Sequence, residues 1–343
     1  MRPGDTATTG PRKIRNIGEL AKIAGVSAGT VSRALANKSL VNAETRERIQ
    51  AIAREHGFRP NQMASKLRTQ RSNVIGVVVP LGHERSQHIS DPFFMTLLGH
   101  LADGLTENGF DLMLSRVVPD SDDWLDRIVD SGMLEGVLLI GQSNVFDTIE
   151  RVAADYLPLV VWGEHRAGQV HCAVGSDNRT GGRLAAQQLI DRGCRRLAYL
   201  GDVQPPEISE RYVGAQEAAR AAGLDEIELL STPLAADAMR SAIAEHIARL
   251  GDGIDGIIAA SDVVAMTVIR ALADHDISVP DAVAVVGFDD LAIATQTVPR
   301  LTTVRQDIER GAREMVDALF KRIAGNATQS VVMKPELIVR DSA

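Results

Sequence analysis

Runs of consecutive apolar, mostly β-branched residues recur along the chain after Asn73, and polar stretches separate them. The first run, at 74–80, is typical of a strand covered on both faces. Helical patterns alternate with these runs over about 230 residues, which predicts two doubly wound parallel sheets with a ligand crevice at the carboxyl ends of their strands. Further strands are predicted at 111–114, 136–140, 159–162, 196–200, 256–260 and 283–288, and helices at 94–108, 180–192, 215–222 and 263–274.

The chain before Asn73 has a different pattern, in which three short helices follow one another closely. Residues 1–12 are rich in Gly, Pro and Thr, so we expect a flexible arm there. The segment 62–68 predicts a further short helix, but it has too few apolar residues to fold alone. We expect helix caps at Asn16, Ser27, Asn42 and Asn61, and helix ends at Gly25 and Gly57.

Charge is distributed unevenly between these two parts. Residues 1–72 carry 14 Lys and Arg against five Asp and Glu, a net of +9, whereas the whole chain has −8, which leaves −17 for the remainder. This asymmetry favours a basic head that binds a polyanion, joined to an acidic body. The two cysteines fit a reducing compartment, and we see neither an apolar run of membrane length nor a secretion signal, so we expect a cytoplasmic protein.

The head has the features of a helix-turn-helix. Gly25-Val26-Ser27 is a tight turn, and the helix after it has the size that fits the DNA major groove. Thr30 and Ser32 carry hydroxyls that can bond phosphate oxygens, and Arg33 can reach a phosphate or a guanine edge.

Three motifs in order connect the head to a known family: AGVS…TVSRAL at 24–35, V-x-x-E-T-R-E-R-I at 41–49 and RPN…A-x-x-L-R-T at 59–69. On these motifs the chain resembles the lactose-repressor-type (LacI/GalR) regulators, and the resemblance continues through nearly the whole chain. It implies an N-terminal all-α helix-turn-helix headpiece, followed by an α/β periplasmic-binding-protein-like body of two doubly wound parallel-sheet subdomains.

The resemblance also implies domain bounds. The arm at 1–12 precedes a headpiece at 13–60 and a hinge helix with its linker at 61–73. The body follows at 74–343. Its N-subdomain is expected at about 74–174 and 306–335, and its C-subdomain at about 175–305 and 336–343.

In the resembled family the second helix reads the major groove, and the hinge helix inserts a Leu into the minor groove. Here the base-reading positions are Ala28, Gly29 and Arg33, and the small size of the first two predicts weak direct readout. Leu67 matches the wedge, which unstacks a base step at a cost of about a few kcal/mol. The predicted DNA-binding residues are Ser27, Ala28, Gly29, Thr30, Ser32, Arg33, Asn61, Leu67 and Arg68.

The resemblance places an effector cleft in the body. Phe93 and Phe94 would form an apolar wall, Trp162 a flat stacking face, Arg211 a bidentate donor, and Asp289 an acceptor for hydroxyls. Alternatives remain open: Phe94 and Trp162 can pack in the core, and Arg211 and Asp289 can form a structural ion pair. The predicted effector-binding residues are Asp91, Phe93, Phe94, Ser143, Trp162, Arg211, Ser261, Asp289 and Gln306.

Other polar residues near strand ends have simpler interpretations. Asp177 and Asn178 are expected to fix a turn and cap a helix rather than touch ligand, and Asp262 to cap another. Arg116 and Arg166 would suit an anionic effector.

Two other functions compete with that of a regulator. An enzyme is disfavoured because the adjacent Asp289 and Asp290 would point apart in a strand, and because no phosphate loop, dinucleotide fingerprint or nucleophile elbow occurs. An exported sugar-binding protein is disfavoured by the basic head. We therefore expect a homodimeric repressor without cofactor or metal. Its partners would be a pseudo-palindromic DNA operator and a sugar, sugar acid or sugar phosphate.

The wedge interpretation makes a direct prediction. Leu67→Ala should weaken operator binding, because the apolar side chain that unstacks the base step is lost, and it should leave effector binding intact. A gel-shift titration measures the first effect. An unchanged operator affinity would refute the wedge role.

Overall fold

The structure is a computed structural model that describes residues 14–35, 37, 40–58, 72–81, 85–142, 144–249 and 253–343. The chain divides into two compact units, Met1–Ser72 and Asn73–Ala343, which we call the head and the body and describe separately. Several predicted features lie outside the described residues, namely the arm at 1–12, the helix at 62–68, and Asn61, Leu67, Arg68 and Ser143.

The described residues of the head form three helices: α1 (Ile17–Ala24), α2 (Ala28–Leu35) and α3 (Ala43–Glu55). The predicted caps are confirmed, because the side chains of Asn16, Ser27 and Asn42 each accept a hydrogen bond from the backbone N–H three residues later. Gly25 ends α1 with φ of 65°, a left-handed conformation that glycine adopts without strain. Apolar side chains from all three helices form one small core, with Leu20, Val31 and Ile49 fully buried.

The described part of the body forms two six-stranded sheets. All neighbouring strands pair in parallel except β12, which runs antiparallel to β10. The first sheet, in spatial order, is β11 (Val331–Met333), β5 (Cys172–Ser176), β4 (Leu159–Trp162), β3 (Gly136–Ile140), β1 (Val74–Pro80) and β2 (Asp111–Val117). The second is β12 (Glu336–Ile338), β10 (Thr302–Arg305), β9 (Ala284–Asp289), β8 (Gly256–Ala259), β6 (Leu197–Gly201) and β7 (Glu228–Ser231).

Helices cover both faces of each sheet, which explains the continuous apolar runs of the central strands. The first sheet and its helices form the N-lobe, with α4 (Pro92–Glu107), α5 (Trp124–Val129), α6 (Phe146–Asp155) and α11 (Ile308–Ile323). The second sheet and its helices form the C-lobe, with α7 (Asn178–Arg192), α8 (Pro206–Ala221), α9 (Ala236–Arg249) and α10 (Asp262–Asp274).

The chain crosses between the lobes at three places, after β5, after β10 and between β11 and β12. The crossovers touch one another: Asp177 N–H donates to the carbonyl of Met333 at 2.9 Å, and the hydroxyl of Ser176 lies 3.4 Å from the carbonyl of Gln306. Five strands were absent from the sequence prediction: β5, β7, β10, β11 and β12.

The predicted start of one helix was wrong. The sequence predicted a helix from Ala215, with Arg211 in a loop after a strand, whereas α8 begins at Pro206. Gly214 lies inside this helix, at the point where α7 and α8 approach each other most closely. A Cβ added to Gly214 would lie 1.9 Å from the carbonyl oxygen of Arg179, and one on Gly182 would lie 1.8 Å from that of Arg211. The glycines therefore serve helix packing rather than a turn.

This close packing generates a stability prediction. Gly214→Ala should lower the free energy of unfolding by about 1–3 kcal/mol, because the new methyl group has no space unless the two helices separate. The loss is measured by urea unfolding followed by circular dichroism. Gly99→Ala in α4 is the matched control, since its Cβ would meet nothing within 4 Å. Equal losses in both variants would contradict the packing argument.

Candidate effector cleft and DNA-binding head

Helix α2 presents the predicted base-reading positions to solvent. Ala28, Gly29 and Arg33 are exposed, and Val31 on the opposite side is buried. The Nε atom of Arg33 donates to the carbonyl of Gly29 at 3.1 Å, so the guanidinium lies along the start of the helix. Ser27 is engaged in capping, and its hydroxyl also lies 2.9 Å from that of Thr30. The exposed surface at the start of α2 is therefore small and polar, with one basic group.

The body contains a cleft with about 780 Å³ of empty space, at the carboxyl ends of strands from both lobes. This is the position that doubly wound sheets use for ligands. Eight of the predicted effector residues line it: Asp91, Phe93, Phe94, Trp162, Arg211, Ser261, Asp289 and Gln306. Residues that the sequence did not single out also line it, among them Gln87, Pro205, Glu207, Ile208 and Leu234.

Aromatic rings form one wall of the cleft. Phe93 and Phe94 begin α4, and their ring centroids lie 5.8 Å apart. Trp162 ends β4, and its ring makes an edge contact with Phe93, also at 5.8 Å. Trp162 is only 4% exposed and its ring lies so close to Gly311 that a Cβ there would overlap it. Core packing and cleft lining are therefore both correct for Trp162, because its ring packs in the N-lobe core and also lines the cleft.

Arg211 lies on α8 and is almost fully engaged by the protein. Its Nε atom donates to Asn178 Oδ1 at 2.9 Å, and one terminal nitrogen donates to the carbonyl of Ala260 at 2.7 Å. The guanidinium also stacks 3.7 Å above the ring of Phe288 and lies 3.9 Å from Asp289. The expected bidentate donor edge is thus largely used within the C-lobe, and a ligand would meet the remaining nitrogen.

Asp289 and Asp290 follow each other at the end of β9 and point apart, as the sequence predicted. Both adopt positive φ, at 121° and 55°, so the backbone turns sharply here. Asp289 accepts a hydrogen bond from Gln306 at 2.6 Å, whereas Asp290 accepts one from Arg305 at 2.8 Å. Burial raises the pKa of Asp289 to about 7, and nearby Arg211 opposes the rise.

Two predicted effector residues also cap helices that point at the cleft. Asp91 accepts from the N–H of Phe93 at 2.9 Å and caps α4, and Ser261 accepts from that of Val264 at 3.3 Å and caps α10. Burial raises the pKa of Asp91, although hydrogen bonds from the backbone of Phe93 and Phe94 oppose the rise.

The expectation that Asp262 is a cap was wrong. Its side chain is fully buried and accepts from the hydroxyl of Thr303 at 2.5 Å and from the N–H of Leu291 at 2.8 Å, so it ties α10 to strand β10 and to the loop after β9. Burial and the neighbouring Asp289 raise the pKa of this carboxyl. Asp177 does cap α7 as predicted, through the N–H of Thr180 at 2.9 Å.

Gln87 and Glu207 are the polar lining residues that sequence reasoning missed. In each of them the side-chain oxygen Oε1 is buried and has no hydrogen-bond partner. A buried acceptor without a donor costs about 1–3 kcal/mol, which a ligand hydroxyl can recover. The signal that the sequence does offer is Pro205-Pro206 directly before Glu207, which predicts a helix start there but not that this start faces the cleft.

The polar lining is rich in acceptors and acidic. Among the described lining residues, Asp91, Glu207 and Asp289 carry carboxylates and Arg211 carries the one guanidinium. Arg116 and Arg166 do not line it: Arg116 donates to the backbone carbonyl of Arg85, and Arg166 stacks 4.4 Å from the Phe146 ring. Within the described residues, no three His, Cys, Asp or Glu side chains are grouped so as to hold a metal ion.

Comparison with known proteins identifies the family. Residues 16–61 match bacterial regulatory proteins of the lacI family, and residues 186–343 match a periplasmic binding protein-like domain. Over 332 residues the chain is 32% identical to the HTH-type transcriptional regulator CelR of Thermobifida fusca, and the match covers 94% of this chain and 96% of that protein. The chain belongs to the LacI family. It is a DNA-binding transcriptional regulator, as the head predicted.

Solved structures agree with this LacI-family fold. A transcriptional regulator CelR–cellobiose complex is 29% identical with a TM-score of 0.69, covering 96% of this chain and 100% of that one. The Lac repressor dimer bound to operator and an anti-inducer is 21% identical with a TM-score of 0.81, over 96% of this chain and 99% of that one, and this likeness shows the fold alone. In the described part of this LacI-family chain, no helix combines the length and apolar composition that crossing a membrane requires.

The contacts of Asn178 generate the prediction for this site. Its amide joins Arg211 to Glu164, and Asn178→Ala would remove both hydrogen bonds and leave a buried guanidinium nitrogen unpaired. We expect the free energy of unfolding to fall by about 1–3 kcal/mol. Asn326→Ala, at an exposed position after α11, is the matched control and should change it by less than about 0.5 kcal/mol in the same urea titration. A neutral Asn178→Ala would show that Arg211 does not depend on this amide.

Proposed function

We propose that this regulator represses genes of carbohydrate use and that its effector is a neutral sugar held in the cleft. The acidic, acceptor-rich lining beside an aromatic wall is the observation that carries the proposal. Sugar hydroxyls supply the donors that the unpartnered oxygens of Gln87 and Glu207 lack, and the apolar face of a sugar ring suits the aromatic wall.

The same lining argues against the sugar acids and sugar phosphates that the sequence left open. An anion in the cleft would face three carboxylates, and the one lining guanidinium is already hydrogen-bonded to Asn178 and Ala260. A further negative charge would have to be desolvated there, and among the described lining residues only the remaining nitrogen of Arg211 would compensate it. The similar CelR is known in complex with cellobiose, a neutral sugar, which supports this choice.

For the head, we propose that the exposed surface of α2 enters the major groove, with Arg33 making the charged contact. Ser27, Thr30 and Ser32 would bond phosphates, and Ala28 and Gly29 would let the helix approach the bases closely. Asn61, Leu67 and Arg68 would act in the hinge. The similar Lac repressor is a dimer on its operator, and we propose a homodimer on a pseudo-palindromic site in the cytoplasm here as well.

Control would operate through the lobes of the body. A sugar that contacts residues of both lobes favours one relative arrangement of the lobes over another, and the head is joined to the N-lobe through residues before β1. We include in the proposal that the chain has no catalytic role, because Asp289 and Asp290 have separate partners and do not act as a carboxylate pair.

A matched ligand series tests the effector class. Glucose, glucuronate and glucose 6-phosphate, with cellobiose beside cellobionate, are compared by thermal shift on the full chain, because a ligand stabilises the folded state by mass action. We expect stabilisation by neutral members only. Stabilisation by an acid or a phosphate instead of its neutral counterpart would contradict the proposal.

The DNA side is tested in the same preparation by gel shift on fragments upstream of the neighbouring genes. Arg33→Ala should weaken binding about tenfold or more, because a base-edge or phosphate contact is lost, while the thermal shift with sugar stays unchanged. A variant that binds DNA as the wild type does would remove α2 from the interface.

A further inference from the structure

Gln87 enters the cleft from a short piece of chain between β1 and α4. Residues 85–88, which we call the Gln87 turn, alternate between outward and inward positions: Ser86 and His88 are exposed, whereas Gln87 is only 5% exposed and lines the cleft. The side-chain oxygen of Gln87 is buried without a hydrogen-bond partner. The backbone of this turn therefore determines whether that acceptor faces the cleft.

Arg116 holds the Gln87 turn from the neighbouring strand β2. Its Nη2 atom donates to the carbonyl of Arg85 at 2.6 Å and to the carbonyl of Gln87 at 3.3 Å. One terminal nitrogen of a guanidinium carries two N–H groups, so both hydrogen bonds can form at the same time. They fix the peptide groups before Ser86 and after Gln87, and with them the direction of the Gln87 side chain.

The turn is held on both sides by regular structure. Arg116 lies opposite Val79 in the parallel pair of β2 and β1, so its backbone is fixed by the sheet. The N–H of Leu81 continues this pairing, since it donates to the carbonyl of Val117 at 2.8 Å. On the other side, the N–H of Asp91, the cap of α4, donates to the carbonyl of His88 at 3.2 Å. The guanidinium thus joins the Gln87 turn to the edge of the N-lobe sheet.

Arg116 acts on the cleft without lining it. The residue is exposed, and it is absent from the residues that surround the cleft. Its hydrogen bonds therefore replace the contact with an anionic effector that the sequence suggested. A charged donor forms a hydrogen bond about twice as strong as a neutral one, which suits a side chain that fixes a short turn.

We propose that Arg116 is a positioning residue for the sugar: it holds the Gln87 turn so that the side-chain oxygen of Gln87 stays in the cleft to accept a sugar hydroxyl. The proposal rests on the proposed function, since it takes the ligand of Gln87 to be a neutral sugar. Arg116 then contributes to sugar affinity through Gln87 and not through a contact of its own.

A double-mutant cycle tests this dependence, with cellobiose titrated into the full chain in a calorimeter. Gln87→Leu removes the acceptor and should weaken binding about tenfold. Arg116→Met keeps the aliphatic stem but removes both hydrogen bonds to the turn, and should weaken binding about threefold or more. In the Gln87→Leu chain the same Arg116→Met change should alter the affinity by less than about twofold, because no acceptor is left to position. An equal loss in both backgrounds, or no loss in Arg116→Met alone, would overturn the proposal.

Arg151→Met is the matched control. Arg151 lies on α6, where its guanidinium bonds Asp126 and the carbonyl of Asp122, and it does not line the cleft. This variant loses a similar exposed guanidinium that also bonds a backbone carbonyl, so it should keep the wild-type affinity for cellobiose. A loss as large as that of Arg116→Met would contradict a specific role for Arg116.

Trypsin cleavage after Arg85 tests the anchor without any ligand. Arg116 holds the carbonyl of the very peptide bond that trypsin cuts there, so releasing it should raise the rate of cleavage between Arg85 and Ser86. We expect an increase of about threefold or more in Arg116→Met and none in Arg151→Met, with the new end at Ser86 followed by mass spectrometry.

The two measurements separate this proposal from the proposed function. If the cleavage rate rises but no sugar of the series stabilises the wild type, the sugar effector is refuted and the anchoring of the Gln87 turn stands. An unchanged cleavage rate would overturn the positioning role of Arg116 whatever the sugars do.

Discussion

The buried guanidinium of Arg211 is the interaction on which the cleft depends. A charge removed from water is stable only with partners in good geometry, and Arg211 has them from Asn178, the Ala260 carbonyl and the Phe288 ring. These partners come from α7, the end of β8 and β9, so one side chain joins three elements of the C-lobe. It reaches that position because Gly182 and Gly214 let α7 and α8 come into backbone contact.

The same interaction shapes what the cleft can bind. Since Arg211 is used to hold the protein together, the polar groups left for a ligand are mainly acceptors, and they are acidic. The contacts of Arg211 continue through Asn178 to Glu164 of the other lobe. Under the proposed function, effector selectivity therefore depends on this set of hydrogen bonds, which a neutral ligand with donors would complete.

Much of this could be predicted from the sequence, and the failures have physical causes. The apolar runs and the caps at Asn16 and Asn42 are local signals, so strands and helix starts were recovered. Short edge strands such as β7 and β12 have few apolar residues, because they are partly exposed. Gly214 is indistinguishable in sequence from a helix breaker, which hid the true start of α8. The prediction of the residues that surround the cleft came from the family resemblance. The burial of Glu207 depends on tertiary packing, which no local pattern encodes.

Under the proposed function, the cleft and the head are thermodynamically coupled. Linkage requires that the factor by which a sugar changes operator affinity equals the factor by which operator DNA changes sugar affinity. The most direct measurement closes this cycle, with sugar titrated into the full chain alone and into its operator complex. Coupling predicts two different sugar affinities whose ratio matches the change in operator affinity. A sugar that binds the free and the DNA-bound protein equally well would contradict it.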